Sequence, residues 1–244
     1  MLTAFFSDIH GNLPALEAAI ADAQARGATQ IICAGDAVGY GPYPNEVCRV
    51  LKKLQIPAVV GNYDRKVIMA VQEGSSAGTE MKPKKRRILL WTIAHLSKAA
   101  MRYLSGLPDH LHLEVFGRLR LLVVHGSLLA IEDEIYPSIT GRTLKQKLDG
   151  SRADVLVCGH THIPFVKRIN GVLVVNCGSV GHPVDGDPRP SYALVRLNEN
   201  SSPRGRIVRF DYDRDRITTR LEKSTLPRGL RKDFAEGKKR RFLE

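Results

Sequence analysis

Seven side chains that can ligate metal ions stand at the ends of apolar runs in this sequence: Asp8, His10, Asp36, Asn62, His125, His160 and His162. The clearest group is Val157-Cys158-Gly159-His160-Thr161-His162, where an apolar run over 155–157 breaks at Gly159 and presents two imidazoles one residue apart. On a strand or an open turn, residues i and i+2 point the same way. Two neutral imidazoles side by side suit a borderline divalent cation such as zinc, iron or manganese. Taken alone, the pair reads equally well as two histidines closing a strand end. It does not stand alone: Ser7-Asp8-Ile9-His10, Gly35-Asp36, Gly61-Asn62-Tyr63-Asp64 and Val124-His125-Gly126 each close another apolar run with ligand-type residues.

Those residues need strands to carry them and helices to cover the strands. The run 2–6 reads as a strand buried on both faces. A helix follows, with Leu13, Leu16, Ala19, Ile20 and Ala23 on one stripe and Gly27 past its end. A second strand over 30–34 ends at Gly35-Asp36. After a Gly/Pro loop, a helix opening at Pro44 buries Val47, Val50, Leu51 and Leu54. A third strand is predicted over 57–60, ending at Asn62. Each strand delivers polar residues at its C-terminal end, the edge where open α/β sheets bind ligands. Beyond it lie a helix over 65–71, a Gly/Ser-rich and mobile stretch over 73–79 and one long helix over 88–104. His95, on that helix, has no partner motif and reads as structural. His110 and His112 alternate with leucines on the polar face of a strand and are not assigned as ligands. Glu132-Asp133-Glu134 reads as a loop near the mouth of the site, before a short helix over 143–148.

The second half is richer in strands. A hairpin over 165–176 turns at Asn170-Gly171. The stretch 192–197 is another strand, and a second hairpin is predicted from 206–212 and 217–221 around 213–216. From Leu226 the chain reads as helical and then frayed. There is neither an internal repeat nor a linker, so the expectation is one domain over 1–244 with a basic tail from about residue 224. The fold class is α/β.

The apolar fraction of 43% suits a sizeable core, and no run is long enough to span a bilayer. The N-terminus reaches Asp8 without a basic leader and reads as a strand, not a signal peptide. Cys33, Cys48, Cys158 and Cys177 form no paired motif, and Cys33 and Cys158, in apolar strand runs, read as core residues in a reducing cytoplasm. The net charge of +12 favours polyanions in general. It concentrates in 82–87 and in the tail, at Lys223, Arg228, Arg231, Lys232, Lys238, Lys239, Arg240 and Arg241. Both clusters read as solvated surface, with nucleic acid as the weaker reading. No membrane partner is expected, and no feature specifies an oligomeric state.

In order and type, these motifs resemble the calcineurin-like metallophosphoesterases, whose pattern is D-x-H, G-D, G-N-H-D or G-N-H-E, a lone H, then G-H-x-H. Gly178-Ser179-Val180-Gly181 and Asp185-Gly186-Asp187-Pro188 bring the sequence nearest to the small bacterial and archaeal phosphodiesterases of that family. The resemblance implies a four-layer αββα sandwich of two mixed sheets, which periodicity alone does not reveal. It also implies two divalent metal ions, from among Mn, Fe, Zn, Ni and Co. Asp8, His10, Asp36 and His162 would hold one ion; Asp36, Asn62, His125 and His160 would hold the other. Asp36 would bridge, and a metal-bridging hydroxide would attack phosphorus in line.

On this reading the protein is a hydrolase of phosphodiester or phosphomonoester bonds in small phosphorylated or nucleotide substrates. The alternatives are a nuclease and a non-catalytic metal-binding scaffold of the same fold. Asp36, Asn62, Tyr63, Asp64 and His125 form the catalytic set. Asp64 is expected to orient a ligating histidine by accepting its second N–H. Asn12 and Ser179 would line the pocket. Tyr63 departs from the family's histidine. A phenol is a poorer acid near neutrality, though able to hydrogen-bond a phosphate oxygen, so activated diesters should react better than unactivated monoesters. His182 is a candidate substitute acid.

Overall fold

The computed structural model describes residues 1–74 and 78–237. Part of the stretch expected to be mobile, 75–77, and the end of the basic tail, 238–244, lie outside the described residues. Strand β1 (Leu2–Phe6) shows the logic of the first half. It pairs in parallel with β2 (Gln30–Cys33) and antiparallel with β8 (Ser191–Asn198), which pairs with β9 (Ser201–Arg209). Because side chains alternate along a strand, Phe5 packs between two sheets while Ala4 and Phe6 face the helices. The second sheet runs β3 (His110–Val115), β4 (Leu119–Val124), β5 (Val155–Cys158), β7 (Val172–Asn176), β6 (Phe165–Ile169), with β4, β5 and β7 parallel. Its Val123, Val157 and Val175 meet Phe5, Ala193 and Val195 of the first sheet in the central core.

The outer face of the first sheet is covered by α1 (Leu13–Ala25), α2 (Pro44–Lys53), α3 (Asn62–Glu73), α4 (Pro83–His95), α5 (Lys98–Ser105), α7 (Arg214–Glu222) and α8 (Gly229–Glu236). The second sheet is covered more thinly, by α6 (Gly141–Lys147) and a loop carrying Ile135 and Ile139. The result is the expected helix–sheet–sheet–helix order, with unequal helical layers. Among the described residues, no helix is long and apolar enough to cross a membrane.

Three predicted elements differ. The stretch 57–60 is not a strand but one bridge, Ala58 to Cys33, because the next pairing groups are taken: the Gly61 N–H donates to Asp64 Oδ2 and the Gly35 carbonyl accepts from the Asp8 N–H. The long helix over 88–104 is two. It starts earlier, with Pro83 in its first turn, and breaks where Leu96 is extended and the Ser97 hydroxyl caps α5 by accepting the Ala100 N–H. The second hairpin is absent: 217–221 lies in α7, and β9 pairs with β8 instead. Asp213 accepts the N–H groups of Asp215 and Arg216, and Ile217 and Leu221, four apart, bury one helix face. The β-branched residues 217–219 imitate a strand, but the cap and the spacing of four decide the outcome. The chain past Leu226 forms α8, which buries Leu230 and Phe234.

Candidate metal centre

The loops leaving the strands turn sharply at the ligand residues themselves. Asp8, His10, Asp36, His160 and His162 all have positive φ, between 50° and 64°. Such backbone is uncommon outside glycine and persists only where its surroundings hold it. Here the Asp8 and His10 N–H groups donate to the carbonyls of Gly35 and Asp36, each at 3.0 Å, tying two ligand loops together. The His160 N–H donates to Asp8 Oδ2, also at 3.0 Å, which ties in a third. Two glycines permit the approach. A Cβ on Gly61 would lie 2.1 Å from Asp36 Oδ1, and one on Gly159 would lie 1.8 Å from Ser7 Oγ.

All seven predicted ligands converge, and two clusters emerge. In the first, Asp8 Oδ1 lies 3.1 Å from His162 Nε2 and 3.6 Å from His10 Nε2, and the two ring nitrogens are 3.2 Å apart. In the second, Asn62 Oδ1 lies 2.9 Å from His125 Nε2 and 3.1 Å from His160 Nδ1. Asp36 Oδ2 stands between the clusters, 3.6 Å from both His10 Nε2 and His125 Nε2. Asp8, Asp36 and His125 also bring donor atoms within 4.8 Å of one another, so Asp8 borders both clusters.

The donor set fits divalent cations. The Nδ1 of His10, His125 and His162 face the carbonyls of Val38, Ala34 and His182 at 3.2, 2.8 and 2.5 Å. A proton on Nδ1 satisfies each carbonyl and leaves the Nε2 lone pair aimed inward. In the first cluster two such lone pairs then meet a carboxylate oxygen, and Asp8 Oδ1 is buried without a hydrogen bond. Converging acceptors at about 3–3.5 Å suit donors that share a cation at about 2.0–2.2 Å. Without a metal, the acids and imidazoles stabilise one another's charges: burial opposes protonation of His10, but Asp8 and Asp36 raise its basicity above the usual range. Burial opposes ionisation of Asp8, but His162, His10 and His125 together hold its carboxyl well below the usual range. Burial, then the nearby His125, lowers the basicity of His160, which favours the neutral ring that ligates.

Several predicted roles change. Asp64 accepts from no histidine; it takes the N–H groups of Ala37, Val38 and Gly61 at 3.0–3.1 Å. It therefore fixes the Asp36 loop to the start of α3. Burial and the charge of Asp36 raise its carboxyl to about 6. The Tyr63 ring packs among Tyr40 and His10 over Gly39, and its hydroxyl is buried without a hydrogen bond. Its backbone N–H does serve the site, donating to Asp36 Oδ1 at 2.7 Å. Asn12 and Ser179 line no open pocket: both are fully buried and bind the carbonyls of Gly181 and Asp8. The His182 ring is 4% exposed and stacks on Tyr40, so it is core rather than a surface acid, and its carbonyl orients His162.

The sequence reading left Glu132 and Lys66 without a role. Lys66 stands four residues after Asn62 on α3, and its Nζ lies 2.5 Å from Glu132 Oε1. Lys66, with His160 and the Asn62 amide, holds the Glu132 carboxyl below its ordinary range. An acceptor for the Asn62 amide N–H keeps Asn62 Oδ1 turned toward the two imidazoles. The four-residue spacing was the available signal. The carbonyls that set the histidine tautomers left none, because every residue carries one.

Known proteins resemble this chain in sequence and in fold. The chain is 29% identical to an uncharacterised protein of Methanocaldococcus jannaschii over 94% of its own length and 95% of the relative's. It is 26% identical to the phosphodiesterase YfcE of Escherichia coli, over 78% and 85% of the two chains. A metallophosphoesterase from Sphaerobacter thermophilus superposes with a TM-score of 0.77 at 29% identity, covering 97% of this chain and 99% of that one. A hypothetical protein from Pyrococcus horikoshii, at 23% identity, shares the fold with a TM-score of 0.85, over 98% and 99% of the two chains. Residues 1–200 match the family model described as the calcineurin-like phosphoesterase superfamily domain, and the chain belongs to that family of metal-dependent phosphoesterases.

Proposed function

We propose that this protein is a dinuclear metal-dependent phosphodiesterase acting on small or nucleotide phosphodiesters. The observation that carries this reading is the position of Asp36 Oδ2, equidistant at 3.6 Å from a histidine of each cluster. One carboxylate shared between two donor groups is what a pair of cations about 3.5–4 Å apart needs. Asp8, His10, Asp36 and His162 would hold one ion; Asp36, Asn62, His125 and His160 would hold the other. The bound pair would supply Lewis acidity toward the phosphoryl oxygens and a water of lowered pKa. The protein's own part is orientation. The Val38, Ala34 and His182 carbonyls keep protons on Nδ1 of three histidines, and the Tyr63 N–H fixes Asp36.

Burial of the Tyr63 hydroxyl and of the His182 ring supports a site without a ready leaving-group acid. Esters with good leaving groups are the favoured substrates, since they need no such proton. Mn, Fe, Zn, Ni and Co all suit mixed nitrogen and oxygen donors. Four buried, unpaired cysteines agree with a reducing cytoplasm. The basic segment 82–87 supports nucleic-acid binding poorly, because Lys84 pairs with Asp233 and Arg87 with the Thr225 carbonyl, holding the C-terminal helices. The test is metal analysis followed by hydrolysis of bis(p-nitrophenyl) phosphate and p-nitrophenyl phosphate by the manganese-loaded protein. Two ions per chain and a faster diester reaction are expected. A single ion, or a monoester preference, overturns the proposal.

A further inference from the structure

A diester has two organic groups, and a site for it needs a place beside the metal cluster for at least one of them. A cleft of about 470 Å³ shares a wall, His125, with that cluster. The volume lies within the range of small-molecule sites, about 300–1,000 Å³. Three other clefts, around Trp91, Tyr103 and Arg231, are lined by no metal-cluster residue. On one side stand His110 and His112, both exposed on β3, with ring centroids 4.9 Å apart at nearly right angles. On another is Leu129, 55% exposed, which offers apolar surface inside the cleft. Arg65, on the first turn of α3, pairs with Asp109 across the cleft.

Charge decides what fits. A second phosphate needs uncompensated cations, but Arg65 is paired with Asp109, and Asp149 adds another carboxylate. With the histidines neutral, the formal balance is one positive against two negative groups. The cleft therefore disfavours an anion and suits an uncharged group that is flat, partly apolar and rich in N–H and O–H donors. A nucleoside has those properties: imidazoles and a leucine offer stacking and apolar contact to a base, and carboxylates accept from sugar hydroxyls or exocyclic amines. We infer that the cleft between β3, the start of α3 and the 128–131 loop is the subsite for a nucleoside group of the substrate. This rests on the phosphodiesterase reading for its catalytic meaning, but the binding it asserts can be measured separately.

The test is calorimetric titration of the manganese-loaded protein and of the metal-free protein with a nucleoside 5′-monophosphate and with ribose 5-phosphate. Both ligands carry the same phosphate, so the metal contribution cancels in their ratio. The nucleotide should bind at least about tenfold more tightly, the scale of one well-stacked base, with and without metal. His112→Ala and Leu129→Ser, both at exposed positions, should each remove most of that ratio. Equal affinity for the two ligands, a ratio unchanged in both variants, or tighter binding of the corresponding nucleoside 5′-diphosphate to the metal-free protein would overturn the assignment. A nucleotide preference in a protein that hydrolyses no diester would refute the activity and leave the subsite standing. Diester hydrolysis without the preference would do the reverse.

Discussion

Replacing Asp36 by asparagine separates the contribution of the site to catalysis from its effect on stability. The exchange keeps the shape of the side chain and the acceptor for the Tyr63 N–H at 2.7 Å, but removes the negative charge between His10 and His125. In the metal-free protein that charge is buried but lies beside the imidazoles of His10 and His125, so its removal should change stability little. With metal the variant should be the less stable. An ion at a hundred times its dissociation constant stabilises by about 2.7 kcal/mol. For a chain of this size each kcal/mol moves Tm by about 2–4 °C, so one site should raise wild-type Tm by about 5–11 °C and two sites by more. A unit charge about 4 Å from another, at an effective dielectric constant near 20, is worth about 4 kcal/mol. Even half of that, lost from both ions at once, exceeds the gain from a single site. At the same manganese concentration the variant should therefore show less than half of the wild-type shift. Scanning calorimetry with manganese or chelator, together with metal analysis and diesterase assays, reads all three quantities. Two ions retained with activity intact, or a wild-type Tm that saturating manganese does not move, would refute the bridging assignment.

Other substitutions test the surroundings. Glu132→Gln removes the charge that holds Lys66 at 2.5 Å and weakens the acceptor facing Asn62; manganese affinity should drop about 10–100-fold, the usual effect of losing such a supporting partner, and excess manganese should restore the rate. Affinity equal to wild type would make Glu132 a surface residue only. Tyr63→Phe deletes a buried hydroxyl that has no hydrogen bond; stability measured in urea should hold or rise by about 1 kcal/mol, with kcat/KM unchanged. A tenfold fall in kcat/KM would mean that the hydroxyl meets the substrate.

What could be read from the sequence and what could not divide along a physical line. Ligand positions were legible because residue type and apolar context are both local: Asp36, Asn62, His125 and His160 each close a buried run, and all reach the cluster. Roles that depend on direction were not. Asp64 has the type to orient a histidine, but three backbone N–H groups reach it first. Tyr63 has the position of an acid, but the bare Gly39 gives its ring an apolar place to lie. The chain over 217–221 has β-branched residues suited to a strand, and only the Asp213 cap and the Ile217–Leu221 pair make it helical. The pairing of strands into two separate sheets involves contacts far apart in sequence, which periodicity does not encode.

The i, i+2 spacing picks out residues that the fold brings together, for a reason that strand geometry does not supply. Neither Asp8 and His10 nor His160 and His162 lie within a strand: β1 ends at Phe6 and β5 at Cys158. In each pair both members have positive φ, separated by one ordinary residue, Ile9 or Thr161. Those middle residues are fully buried, so each loop has an apolar or hydrogen-bonded side chain anchored beneath two projecting ligands. Thr161 Oγ1 accepts from Asn176 Nδ2 at 3.0 Å, and Ile9 packs in the core beneath the helices. The two loops then dock, through the His160 N–H on Asp8 Oδ2 and the His10 and His162 rings facing each other. Left-handed backbone at non-glycine positions costs about 1–3 kcal/mol at each residue, and these loops carry it at four residues that all face the cluster. Within these two loops the strain falls at the residues whose direction matters for the cluster, and the buried anchors between them hold it there.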